Sequence, residues 1–202
     1  DGKIPFKHTE KLYIKRSDDF DEDSLAPQWQ WNYQPRKDYF SLTERPGWLR
    51  LKAYRPLETN NLLKAGNTLT QRTFRKQNND VTIKMDISNM QDGQKNGLCH
   101  FSSQHSAIGV VKEGDSCYLE YRKNGNITKG SHIRSKFVWF RTEWGMDGKS
   151  QYYYSLDGDN FLPFGEMYQL TWGNYRGDRI GIYCFNDKRE DGFVDIDYCH
   201  YK

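Results

Sequence analysis

The 202-residue sequence predicts an all-β protein, an antiparallel two-sheet β-sandwich in one domain. Turn punctuation is dense: Asp92-Gly93, Asn124-Gly125, Asp147-Gly148, Asp157-Gly158 and Asp191-Gly192 are hairpin dipeptides flanked by strand-like runs. The segments between the turns are rich in Thr, Val, Ile, Tyr and Trp, giving about eleven candidate strands. No window carries apolar residues at a helical period.

Taken in order, residues 28–33 place Trp29 and Trp31 two apart and so on one face, where core packing is expected. Residues 48–53 read as a strand. Residues 55–64 hold at most a turn or two of helix, with Pro56 at its start. In 68–74, Leu69 marks the core face and Thr70 and Arg72 point outward. Gln71 then points inward, and a bulge is expected to relieve it. Residues 81–87, 97–101, 107–111 and 117–122 follow as strands. In 137–144, Val138, Phe140 and Thr142 form a core side, opposite Trp139, Arg141 and Glu143. Residues 151–156 send Tyr152 and Tyr154 inward, and 179–185 is a further apolar strand. In 193–200, Val194, Ile196 and Tyr198 form an apolar face against outward Asp195 and Asp197.

Composition narrows the function classes. Aromatic residues make up 15% of the chain, a large burial payload that argues against disorder. The longest apolar run is four residues, 137–140, far short of a membrane helix, and no membrane partner is expected. The net charge of +3, spread evenly over 30 basic and 27 acidic residues, does not describe a nucleic-acid binder. Cys99, Cys117, Cys184 and Cys199 have no zinc-type spacing. They read as buried thiols, with a Cys184–Cys199 cross-strand disulfide as the alternative. The opening Asp-Gly-Lys suggests a piece excised from a longer protein, with residues 1–16 as a linker or arm and 17–202 as the sandwich.

Nucleophile elbows, P-loops, dinucleotide fingerprints and zincin helices are missing from the sequence. The five histidines are scattered. Glu44, Glu120 and Glu143 are the acids that a glycosidase pair would draw on, but a glutamate on a sandwich face is usually solvated or Arg-paired.

Longer motifs carry a family resemblance. They are Gln28-Trp29-Gln30-Trp31-Asn32, Ser41-Leu42-Thr43-Glu44-Arg45-Pro46-Gly47-Trp48-Leu49-Arg50-Leu51, and Asn67-Thr68-Leu69-Thr70-Gln71-Arg72-Thr73-Phe74. Tyr152-Tyr153-Tyr154-Ser155-Leu156-Asp157-Gly158, Tyr175-Arg176-Gly177-Asp178-Arg179-Ile180-Gly181-Ile182, and Gly192-Phe193-Val194-Asp195-Ile196-Asp197-Tyr198 continue the series. In this order they resemble the C-terminal concanavalin A-like domain of glycoside hydrolase family 43 β-xylosidases and arabinofuranosidases. The resemblance implies a jelly-roll sandwich with one concave face, packed on a propeller catalytic domain of the same parent chain that carries the catalytic acids. It implies a periplasmic or secreted bacterial protein whose partners are xylan or arabinoxylan oligosaccharides. One local departure is Tyr33, where the family commonly has His.

Sugar recognition needs aromatic platforms and planar polar groups. Outward Trp139, Arg141 and Glu143 supply both, with Tyr121, Tyr153, Arg72 and Asn32 expected beside them on the same sheet. The acidic cluster Asp18, Asp19, Asp21, Glu22 and Asp23 reads either as a solvated turn or as part of a structural Ca²⁺ site. Many concanavalin A-like sandwiches hold Ca²⁺ between the first and last strands, and by that resemblance Asp19 would join Asp195 or Asp197. The expected function is a non-catalytic accessory domain that binds xylan-type glycans. The alternatives are a purely structural domain and a free-standing hydrolase built on Glu143 or Glu120.

Overall fold

A computed structural model describes residues 15–171 and 177–202. The proposed arm over 1–16 therefore lies outside the described residues, except for Lys15 and Arg16. In chain order the strands are β1 (Gln30–Trp31), β2 (Phe40–Ser41), β3 (Leu49–Lys52), β4 (Thr68–Arg72) and β5 (Asn79–Asp86). They continue with β6 (Gln94–Phe101), β7 (His105–Glu113), β8 (Ser116–Lys123), β9 (Asn126–Ile133) and β10 (Phe137–Trp144). The last are β11 (Lys149–Ser155), β12 (Leu162–Pro163), β13 (Tyr168–Gln169), β14 (Arg179–Asn186) and β15 (Phe193–Tyr201). They form two antiparallel sheets stacked as a sandwich. One runs β1-β4-β14-β6-β7-β8-β9; the other runs β12-β11-β10-β5-β15-β3-β2, with β13 also on β11.

Period-two alternation builds the core. Leu69, Leu98, Ile108, Leu119, Ile180 and Ile182 of the first sheet meet Leu51, Ile83, Val138, Phe140, Val194 and Ile196 of the second, all essentially buried. The expected inward set on β10 holds, with Thr142 fully buried beside it. Trp29 is buried against Phe20 and its indole N–H donates to Asp18 at 2.7 Å. Trp31 is half-buried, packed on the core and against Phe40. Tyr152 is fully buried and Tyr154 packs on the core edge.

A second, smaller core lies on the outer face of the first sheet. Cys99, Phe101, Ala107, Tyr183 and Phe185 are covered there by Leu62 and Ala65. The covering segment contains a single 3-10 turn, Leu62–Lys64, shorter than the helix expected over 55–64.

Several sequence expectations are corrected. Pairing of β4 with β14 is continuous from Thr68 to Arg72, so no bulge relieves Gln71. Its amide is instead buried and donates to the Arg16 carbonyl at 3.2 Å, which removes the penalty of an inward polar group. A register shift does occur on β15 between Ile196 and Tyr198. It inserts Asp197 as an extra residue and reverses the facing of everything after it. Tyr198 and His200 consequently point outward, while Cys199 and Tyr201 join the core. β9 was not foreseen, because Asn126–Ile133 is polar on both faces and almost wholly exposed at the sheet edge. All four cysteines are free thiols. Cys184 and Cys199 sit on strands of different sheets, so they are not the cross-strand pair considered.

Candidate functional site

The residues proposed for glycan contact divide between the two outer faces of the sandwich. Trp139, Arg141 and Glu143 of β10 lie outward on the second sheet, and Tyr153 of β11 stands directly opposite Arg141. Arg72 and Asn32 belong to the first sheet and its edge. Tyr121 belongs to neither surface: it is 3% exposed within the main core, and its hydroxyl donates to the Glu166 carbonyl at 3.0 Å. Burial pushes that hydroxyl up to about 12. The sequence could not assign these strands to sheets, because the crossovers that alternate between sheets leave no local mark.

On the second sheet, Trp139 is half-buried. Its indole N–H donates to the Tyr198 hydroxyl at 3.1 Å, and the Lys84 ammonium lies near its ring, 5.7 Å from the centroid. Arg141 donates to Thr82 at 3.0 Å and stacks over Phe161 at 3.7 Å. Glu143 is exposed, while Tyr153 is held above its ordinary hydroxyl range by burial and by the Glu143 charge. Glu143 and Tyr153 share a cleft of about 580 Å³ with Asn79, Trp144, Lys149 and Gln151. Trp139 and Arg141 do not line it.

The first sheet carries a larger groove of about 740 Å³ at its β1 edge. Gln30, Tyr33, Thr70, Arg72, Phe101 and Arg179 contribute to its lining, together with Asn32. Strand register explains how these residues meet. Arg179 of β14 lies opposite Arg72 on β4 and opposite Phe101 on β6, so the three occupy one cross-strand row. Thr70 and Gln30 lie opposite each other one pleat away on the same face. Arg179 is buried to 7% exposure, with Nε donating to Thr70 at 2.9 Å and Nη2 to Gln30 at 2.7 Å. Arg72 is exposed and makes no ion pair among the described residues. Asn32 spends its side-chain amide on the carbonyls of Leu63 and Ala65, at 3.0 and 3.2 Å, and thereby pins the covering segment. Tyr33, Gln30, Phe101 and Arg179 were not singled out from sequence. The Arg72–Arg179 relation depends on a pairing between residues 107 positions apart.

The acids offered for Ca²⁺ do not assemble. Asp195 accepts from Arg50 at 2.8 and 3.0 Å and from Arg45 at 3.1 Å. Asp197 pairs with Lys84 at 2.7 Å, and Asp19 with His200 at 2.7 Å. Each carboxylate already faces a basic side chain, and no group of His, Cys, Asp or Glu among the described residues is arranged to hold a metal ion. These three residues do not fit a Ca²⁺ site.

The glutamates offered as a catalytic pair are likewise apart. Glu120 is buried against Arg122 on the first sheet, Glu143 lies on the outer face of the second, and Glu44 is bound by Arg50 and Lys52. The Lys52 hydrogen bond, followed by that of Arg50, holds the Glu44 carboxyl below its usual range.

Residues 17–202 match the family described as the beta-xylosidase C-terminal concanavalin A-like domain. A beta-xylosidase of Formosa agariphila is 35% identical over 207 residues, covering 93% of this chain and 35% of that protein. A bifunctional GH43-CE protein of Bacteroides eggerthii superposes with a TM-score of 0.83 at 29% identity, over 92% of this chain and 25% of that one. A GH43 glycoside hydrolase engineered for endo-xylanase and exo-arabinofuranosidase activity has the same fold, with a TM-score of 0.84 at 24% identity, over 97% of this chain and 42% of that one. The chain thus spans about a third of the length of the curated relative. It belongs to the family of β-xylosidase C-terminal concanavalin A-like domains.

Proposed function

We propose that this chain is the non-catalytic accessory domain of a xylan- or arabinoxylan-degrading glycoside hydrolase, binding xylan-type glycan and packing on a catalytic domain of the same parent protein. The observation that carries the binding role is the groove of about 740 Å³ on the first sheet. It combines what a pyranose chain requires: an exposed aromatic ring at Tyr33, the amide of Gln34 and the Arg72 guanidinium. Hydrolysis belongs to the rest of the parent protein in this reading, since Glu120 and Glu143 lie on different sheets.

Calorimetric titration of the chain with xylohexaose and with arabinoxylan tests the proposal. Saturable binding is expected, weakened about tenfold or more by Tyr33→Ala, because loss of a sugar-stacking ring removes on the order of 1 kcal/mol or more. Trp139→Ala on the opposite face should leave binding unchanged. A second reading, a structural brace for the catalytic domain, draws support from the internal commitment of Trp139 to Tyr198 and of Asn32 to the 63–65 turn. Absence of heat at millimolar ligand would select that reading.

A further inference from the structure

Resting on the glycan-binding reading, we propose that residues 55–65 form a strap over the outer face of the first sheet, which opens without unfolding of the sandwich and which glycan in the neighbouring groove holds shut. The segment is closed on itself. Its backbone N–H groups donate within it: Leu57 to the Lys64 carbonyl at 3.1 Å, Asn61 to Glu58 at 3.1 Å, Lys64 to Asn61 at 3.0 Å, and Ala65 to Leu62 at 3.1 Å. No residue of 55–65 belongs to a strand. Leu57 is 75% exposed, so the apolar anchorage is Leu62, Ala65 and part of Leu63. A compact loop with so little buried surface separates from the body as a unit.

Side chains fasten the strap to the body. Asn60 stands in left-handed backbone at φ 60°. Its N–H donates to Asp187 at 2.6 Å, its carbonyl accepts from Arg122 at 3.1 Å, and its side-chain oxygen accepts from Arg122 and Lys95, both at 2.7 Å. Arg55 donates to the Lys188 carbonyl at the entrance, and the Thr68 hydroxyl donates to Ala65 at the exit. The Asn32 amide holds the Leu63 and Ala65 carbonyls. Arg122 and Glu120, buried and paired with each other, keep that pairing when the strap lifts and recover hydration.

The strap and the groove share two residues. Asn32 lines the groove and pins the strap, while Phe101 lines the groove and belongs to the small core beneath the strap. Opening frees Asn32 and uncovers Phe101, so it loosens the groove wall. By linkage, glycan bound to the intact groove favours the closed strap.

Iodoacetamide labelling of the native chain, read cysteine by cysteine from peptide masses, tests both parts. Cys99 lies in the small core, whereas Cys184 and Cys199 lie between the sheets, all essentially buried. Cys99 should react at least tenfold faster than Cys184 and Cys199. Asn60→Gly keeps the left-handed backbone but removes the side-chain bonds, and should speed Cys99 about tenfold. Tyr152→Phe, which weakens the joint between the sheets, should speed Cys184 and Cys199 while leaving Cys99 unchanged. Equal rates at the three buried thiols overturn the inference, as does a Cys99 rate indifferent to Asn60→Gly. Xylohexaose at ten times its dissociation constant should slow Cys99 about tenfold. Calorimetric binding with an unchanged Cys99 rate overturns the coupling while leaving the glycan reading intact. Failure of xylohexaose to bind defeats that reading and the coupling with it, and the comparison of thiols on the unaltered chain still decides the opening.

Discussion

Asp157 illustrates how one side chain organises a turn. Its carboxylate accepts from the side-chain amide of Asn160, the backbone N–H groups of Asn160 and Asp159, and the Ser155 hydroxyl. Hydrogen bonding to the charged form, led by Asn160, holds the group well below the usual carboxylate range. A depressed folded-state pKa contributes stability above the unfolded value, near about 3.9 for Asp, and loses it as pH falls toward the folded value. Asp157→Ala should therefore melt below the unaltered protein at pH 7, and the gap should narrow progressively as pH falls below roughly 4 toward 2. Thermal melts of both proteins across that range check this; a gap that persists unchanged at pH 2 contradicts it. This turn was legible in the sequence, because Asp-Gly between strand-like runs carries a local mechanism. The role of Asn32 was not, since its partners at Leu63 and Ala65 are about thirty residues away along the chain.

At the scale of the strand, alternation gave the facing of β10 but failed beyond the middle of β15. One inserted residue, Asp197, reverses the pattern and moves Tyr198 from the expected core to the surface. The sequence reads as smooth alternation there, because Tyr suits either face. The strand β9 escaped notice for the opposite reason, having no apolar face to mark it. Close strand approach is another property that only pairing reveals. Gly97 and Gly109 lie directly opposite each other on β6 and β7, and a Cβ at Gly97 would meet the Ile108 carbonyl and the Gly109 backbone. Gly97→Ala should cost about 1–3 kcal/mol, as overpacking against backbone does. Urea unfolding measures it, and an unchanged midpoint would mean that the strands separate without penalty.

For the molecule as a whole, the two sheets are joined by a polar link as well as by apolar burial. The Tyr152 hydroxyl on β11 donates to the Ser106 carbonyl at 3.0 Å and accepts from the His100 backbone N–H at 3.0 Å, both on the opposite sheet. His100, fully buried, continues the link to Thr142 at 2.9 Å and to Asp178 at 3.2 Å. Burial raises the Tyr152 hydroxyl well above its ordinary range, so it remains a proton donor. Tyr152→Phe strands two buried groups on the first sheet and should cost about 1–3 kcal/mol with an unchanged far-ultraviolet circular dichroism spectrum. A variant as stable as the parent would show that the link contributes nothing net. The sequence by itself determined the fold class, most strands, the inward set of β10 and the family, because turn chemistry, period-two alternation and long motifs are written locally. Tertiary structure alone decided which strands share a sheet. It placed Tyr121 in the core, separated Arg72 from Trp139, tied Asp19, Asp195 and Asp197 to different basic side chains, and set Arg72 opposite Arg179. Each of those outcomes depends on hydrogen-bonded pairing between segments far apart in the chain, which no local pattern of residues encodes.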